Sequence, residues 1–242
     1  MIDLSRYRIV DLSRELYPGI FKINKEYIHG KGVRRLELRQ FIYKPDRMLM
    51  HWVDTETHIG THVEGPSHHP KGDKSVSELP LNTFIGEAIV LNYSYLKPKN
   101  GKGQPIKVSD LKNVKKDDIV LMWSPYTDAE MPYVSPEAAE WLWKKEVKML
   151  GEQGVKIEAP GSLATHDYLL WRGSIPIIEG LVNLDKLKKE RVFFIGLPMK
   201  IIGLDSSWIR AVALEELASS SLFFSSPPAA DEAEYGSLGD VY

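Results

Sequence analysis

"HIGTHVEGPSHH", residues 58–69, places four histidines and a glutamate in twelve positions, and the way this stretch is read decides what fold must surround it. Five of the seven histidines of the chain, at 51, 58, 62, 68 and 69, fall within nineteen residues. A solvated or capping loop accounts for a lone histidine, but a grouping this dense asks for a local cause. In extended backbone, residues at even offsets share a face, so His58, Gly60, His62, Glu64 and His68 point one way. A helix would join His58 to His62 but carry Glu64 far round, and "GT" and "EGP" are poor helix material. Four residues of flat strand span about 13 Å, at the limit of two imidazoles reaching one ion. A bulge or bend is therefore expected at Gly60 and Thr61, where glycine permits the backbone.

Two imidazoles and a carboxylate leave an open coordination position, the arrangement of a catalytic rather than a closed structural metal site. The chain has no cysteine, so any metal is held by nitrogen and oxygen, a donor set that suits zinc or manganese. Hydrolysis also needs a proton donor for the leaving group, and His68 is close in sequence with the parity of the ligands. His69 reads as a supporting or surface residue and His51 as structural. Downstream, "LATHDYLLWRGSIPIIEGLVNLDKL" holds two more candidates. Glu179 follows an apolar run, where a carboxylate is costly unless paired or bound to a cation, though it reads equally well as an acid starting a helix. His166 taken alone is a surface or helix N-terminal histidine.

The rest of the chain supplies a setting. Its 242 residues, 43% of them apolar, can build one large domain or two small ones. The net charge of -2 arises from 31 basic and 33 acidic residues mixed along the sequence, which argues against nucleic acid or anionic lipid as partner. No basic cap with an apolar run opens the chain and no stretch approaches the roughly 20 apolar residues of a membrane span, so a cytoplasmic protein acting on a small molecule is expected. "YRIVDLS", "RRLELRQFIY", "HWVDTETHIG", "FIGEAIVLNYS" and "RVFFIGLPMKI" read as strands. "VSPEAAEWLWKKE" reads as a helix capped by Ser135 with Pro136 in its first turn, "LVNLDKLKK" as a second, and "KVSDLKNVKKDDIVLMWS" as a short helix leading into a buried strand. Mixed without strict alternation, these elements predict an α/β domain with a mixed sheet over residues 1–218, and an acidic low-complexity tail over 219–242. "GLDSS" and "YGSLG" offer serines but no G-x-S-x-G elbow, and the "GKG" repeats lack a nucleotide fingerprint.

The sequence resembles the cyclase family of metal-dependent hydrolases, which includes bacterial kynurenine formamidases and isatin hydrolases. The family pattern H-x-G-T-H-x-D-x-P-x-H is met from His58 to His68, with Glu64 in place of aspartate. The likeness continues at "DLSRELYPG", "PYVSPEAAEWL", "THDYLL" and "LPMKIIGLDSSWIRAVAL", nearly everything before the tail. It implies a cyclase-like fold, a mixed sheet around a small β-barrel-like core with flanking helices, assembled as a homodimer or homotetramer. It implies that His58, His62 and Glu64 hold one metal, with His68 as general acid/base, and that Glu64, His166 and Glu179 hold a second, giving one or two Zn2+ or Mn2+ ions per subunit. The activity implied is hydrolysis of a small amide, an aryl formamide or cyclic amide, or a related ester or lactone, by metal-bound hydroxide. Tyr17 or Phe21 would give the pocket an aromatic wall, and Trp123 is a further candidate. Glutamate at 64 extends the carboxylate by one methylene, which leaves a second expectation: a family member that binds metal or ligand without turnover.

Overall fold

The computed structural model describes residues 3–22 and 33–217; the tail assigned to residues 219–242 lies outside them, as does the side chain of Phe21. The strands are β1 (Tyr7–Asp11), β2 (Gly19–Lys22), β3 (Val33–Tyr43), β4 (Met48–Thr55), β5 (His62–Glu64), β6 (Ile85–Asn92), β7 (Pro105–Ile106) and β8 (Ile119–Trp123). There follow β9 (Tyr133–Val134), the helix α1 (Pro136–Lys145), β10 (Met149–Gln153), β11 (Ile177–Glu179), β12 (Arg191–Ile195), β13 (Ser206–Trp208) and β14 (Val212–Glu216). Nine of these strands form one curled sheet in the order β1-β14-β12-β6-β8-β10-β11-β5-β13. Its centre, β6-β8-β10-β11, is parallel, and both flanks are antiparallel. The mixed sheet read from the sequence is present.

The centre is buried on both faces. Ile119, Val120, Leu121 and Met122 of β8 are wholly enclosed, which is why that strand reads as an unbroken apolar run rather than an alternating one. One core layer packs Val120, Met122 and Leu150 against Ala138, Ala139 and Leu142 of α1, and the other packs Ile119, Leu121 and Met149 against Phe84 and Phe194. Helix α1 begins as its sequence dictates: the Ser135 hydroxyl accepts from the Ala138 amide at 3.2 Å, and Pro136 fills the first position.

Two helix expectations are corrected. "LVNLDKLKK" makes only a single 3-10 turn, Leu184–Lys186, because Asn183 enters with left-handed backbone and Leu187 leaves extended. The amides of Lys188 and Lys189 then bond the buried Glu215 carboxylate instead of continuing the helix. "KVSDLK" likewise gives a 3-10 turn, Val108–Asp110. Among the described residues α1 is the one α-helix, so the flanking layer is mostly turns and loops. None of the described helices is long and apolar enough to cross a membrane.

Strands β2, β3 and β4 form a separate antiparallel sheet. Register places Leu38, Val53, Ile42 and Leu49 on one face of the β3-β4 ribbon and Phe41, Trp52, Tyr43 and Met48 on the other. Ile42, Met48, Leu49 and Trp52 are each more than 60% exposed, so this ribbon is apolar to solvent on both faces. His51 sits on it, exposed, with Nε2 3.4 Å from Gln40 Nε2 and away from the histidines of the motif.

Candidate metal centre

After β4 the chain turns sharply, and β5 begins only at His62. Gly60 carries the turn with φ +66, the left-handed backbone expected of it, and Gly180 faces it with φ +71. A Cβ on Gly180 would stand 2.4 Å from the Gly60 carbonyl oxygen, so the pair lets β5 and β11 approach closely. The uniform extended segment from His58 to His68 is corrected here: His58 lies on the bend, and His68 ends a 3-10 turn, Pro66–His68. Parity holds only for His62 and Glu64.

The rings converge nonetheless. Centroids of His58 and His62 are 5.0 Å apart, those of His58 and His68 4.4 Å, and those of His68 and His166 5.8 Å. Strand β5 is sandwiched between β11, which sets Glu179 opposite His62, and β13, which sets Ser206 opposite Glu64. His166 arrives at the start of a π-helical turn, His166–Arg172. The buried Glu64 carboxylate is at the centre. Its Oε1 lies 3.0 Å from His58 Nδ1, 3.6 Å from His62 Nε2 and 3.9 Å from His68 Nε2, while Oε2 lies 3.5 Å from His166 Nε2. Glu179 Oε2 is 3.7 Å from His62 Nε2.

Two donor sets among the described residues could each hold an ion, His58 with Glu64 and His68, and His62 with Glu64 and Glu179. Glu64 is shared, as the resemblance implies. The partition differs from the implied one: His68 falls beside His58, and Glu179 beside His62 rather than with His166. The residues fit a metal on a physical ground. His62 Nε2 and Glu64 Oε2 are buried without a hydrogen-bond partner, a cost of about 1–3 kcal/mol for each group that a cation would remove. Imidazole and carboxylate donors suit zinc or manganese.

Burial raises the cost of charge throughout, yet the partners decide each group. Burial opposes the ionised Glu64, but His166, His58 and His62 outweigh it and hold its carboxyl far below the usual range. Glu179 goes the other way, pushed up to about 7 by burial and then by the Glu64 charge. Burial works against a charged His166, but Glu158 and Glu64 push it up to about 10. His58 is raised against its burial by Glu64 and Asp205.

Several residues outside the candidate ligand set hold this arrangement. Asp205 accepts from His58 Nε2 at 2.8 Å and from His68 Nδ1 at 3.1 Å. Glu158 accepts from His166 Nδ1 at 2.7 Å and from its backbone amide at 2.9 Å. Glu152, raised by burial, accepts from the Gly180 amide at 2.8 Å. His69, expected to be a supporting or surface residue, is buried, bonded to Asp167 at 2.9 Å and stacked on Trp171.

A cleft of about 1060 Å³ opens onto one side of the site, lined by Arg14, Ile59, Gly60, His62, Trp123, Glu152 and Glu179 among others. Trp123 thus reaches the cavity proposed for it. Tyr17 does not line it; the ring is 64% exposed and its hydroxyl bonds the cleft-lining Glu15.

A family model described as "Putative cyclase" matches residues 10–159. The kynurenine formamidase of Erythrobacter litoralis (strain HTCC2594) is 29% identical over 222 residues, covering 87% of this chain and 95% of the relative. That of Geobacillus thermodenitrificans (strain NG80-2) is 30% identical over 166 residues, 66% of this chain and 77% of the relative. Among solved structures, an isatin hydrolase bound to the product analogue thioisatinate superposes with a TM-score of 0.71 at 22% identity, covering 88% of this chain and 94% of that one. Isatin hydrolase A from Labrenzia aggregata gives 0.70 at 20% identity, covering 88% and 95%.

Proposed function

The chain belongs to the cyclase family, and from that premise we propose that it is a metal-dependent hydrolase of a small amide, an aryl formamide or a cyclic amide, or of a related ester or lactone. The names of its relatives support the amide class. The observation that carries the reading is the buried Glu64 carboxylate ringed by four imidazoles, with His62 Nε2 and Glu64 Oε2 lacking hydrogen bonds.

His58, His62, Glu64, His166 and Glu179 are the residues that would hold one or two ions, Zn2+ or Mn2+. Such an ion supplies Lewis acidity toward a carbonyl oxygen and lowers the pKa of water toward neutrality. The side chains do the rest. Glu158 holds the His166 ring through Nδ1 and turns Nε2 toward Glu64. Ile59 and Trp123 give the cleft apolar surface against which the ring of an aryl or cyclic amide can lie, with Arg14 and Glu152 as polar neighbours. His68, 30% exposed, keeps Nε2 available to take a proton from the attacking water and pass it to the departing nitrogen or oxygen.

Incubating the metal-loaded protein with a panel of formamides, isatins and lactones tests this directly. Turnover that disappears on chelation and falls in His68→Ala is expected; a wild type no faster than His68→Ala, or turnover indifferent to chelation, overturns it. The rival reading, metal binding without turnover, draws on glutamate at 64 in place of aspartate. It gains if the wild type binds metal but is inert and Glu64→Asp restores hydrolysis.

A homodimer or homotetramer is part of the same proposal, supported by the apolar residues that the β3-β4 ribbon exposes on both faces. Sedimentation should show the wild type as an oligomer and Leu49→Glu/Trp52→Glu as dissociated.

A further inference from the structure

We propose that Asp205 is the positioning residue that sets His68, fixing its ring proton on Nδ1 and so assigning proton transfer to Nε2. The use of that proton rests on the hydrolase reading; the orientation of the ring does not.

The placement of Asp205 follows from strand register. Ser206 of β13 pairs with Glu64 of β5, so the residue before it stands opposite Gly65, whose amide donates to the Asp205 carbonyl at 2.8 Å. The preceding carbonyl, of Leu204, accepts from the Val76 amide at 3.0 Å. The motif segment at Gly65 and the turn that follows it at Val76 are thus tied to the backbone that carries this carboxylate.

The two carboxylate oxygens divide their work. Oδ1 accepts from Thr57 Oγ1 at 3.3 Å, and Oδ2 accepts from His58 Nε2 at 2.8 Å and His68 Nδ1 at 3.1 Å. An ionised carboxylate only accepts, so both of those ring nitrogens must carry hydrogen. The consequence for His68 is specific. With Nδ1 donating to Asp205, its other nitrogen stands 3.9 Å from Glu64 Oε1, beyond hydrogen-bond range, and remains open to a bound molecule. The same oxygen turns His58 so that Nδ1 faces Glu64 at 3.0 Å, the orientation a metal ligand needs. One oxygen therefore aligns the proton carrier with a candidate ligand.

Without that acceptor, nothing described here holds the proton on Nδ1, and a free histidine side chain prefers it on Nε2. The ring would then present hydrogen where a base needs a lone pair. This is the orienting role a carboxylate plays behind a catalytic imidazole in general.

The test uses 15N-labelled, metal-stripped full-length protein and a long-range 1H–15N correlation spectrum at pH 8, with the His68 signals identified by their loss in His68→Ala. Wild type should show His68 protonated at Nδ1, and Asp205→Ala should show it protonated at Nε2. Should Asp205→Ala fail to fold, the near-isosteric Asp205→Asn is read instead, and its single amide oxygen should leave a mixture. A wild type with the proton on Nε2, or a variant spectrum unchanged from wild type, overturns the proposal. In the enzyme assay at saturating metal, Asp205→Asn should lower kcat about 10²-fold with KM within about twofold, yet cost only about twofold in a His68→Ala background. An equal loss in both backgrounds overturns the role through His68. If wild type hydrolyses nothing in the panel, the hydrolase reading fails while the tautomer measurement still decides for or against Asp205.

Discussion

The two sides of the Glu64 carboxylate are built from the same residue types and yet differ in how their lone pairs and protons are satisfied. Toward His58 and His68, Asp205 accepts from both rings, and the imidazoles stay ordered by hydrogen bonds alone. Toward His62 and Glu179, the buried Nε2 finds no hydrogen-bond partner, and a second carboxylate crowds the first at the mouth of the cleft. The first side has its ring nitrogens held by hydrogen bonds; the second leaves a buried nitrogen and crowded carboxylates that a cation would satisfy. The difference separates two tasks, holding a proton carrier in place and holding charge against burial, that the local sequence presents as one histidine-rich run.

The largest effect is expected where the sides meet. Glu64→Gln keeps the shape but removes the charge that both sides share, so the bound metal should be lost and kcat/KM should fall on the order of 10³-fold or more. Elemental analysis beside the kinetics checks it; a variant that keeps its metal content would mean that Glu64 holds no ion.

His68→Ala acts on one side only. As a proton carrier it should cost about 10²- to 10⁴-fold in kcat with the metal content unchanged. His68 also belongs to one of the two candidate donor sets, so a loss of one ion per subunit in this variant would move it from proton carrier to ligand. That outcome would redraw the comparison rather than merely weaken it.

The sequence made parts of this legible and hid others for physical reasons. His58, His62, Glu64 and His68 could be found because they lie within eleven residues, and the bend at Gly60 because the reach of two imidazoles demanded one. Even so, His68 reaches the site through a 3-10 turn rather than through the shared face of a strand. Asp205, though inside the matching stretch "LPMKIIGLDSSWIRAVAL", and Glu158 carry no local mark of their roles, because those roles come from strand register and a π-helical turn, which join residues 137 and 8 positions apart from their histidine partners. The helix read into "LVNLDKLKK" failed because Glu215, far along the chain, takes the amides that the helix would have used. Local pattern pointed to the candidate ligands; long-range pairing supplies the carboxylates that bond their rings.

The smallest effect is the most specific to the second side. In metal-stripped protein Glu179 titrates at about 7, against an ordinary value of 4.5, so between those values the folded state holds a proton that the unfolded state has released. More protons bound in the folded state means that stability falls as pH rises: the contribution is complete below 4.5 and is lost through about 7. The raised histidines have the same sign but act later, because the loss from His58 and His166 sets in as pH nears their ordinary 6.5. Glu64, held low, contributes throughout this range. The interval from about pH 5 to 6 therefore reports mainly the raised carboxyls, Glu179 with a remainder from Glu152. Because 32% of the Glu179 side chain is open to the cleft, the effect is about 1 kcal/mol after solvent screening, or about 2–4 °C in Tm. Metal-stripped wild type should lose that much across the interval, and Glu179→Gln should lose less than half as much. The metal-loaded protein should reverse the slope, since an ion favours deprotonated ligands. An identical slope in Glu179→Gln would place the buried proton elsewhere and leave the His62 side without the carboxylate crowding that a cation would relieve.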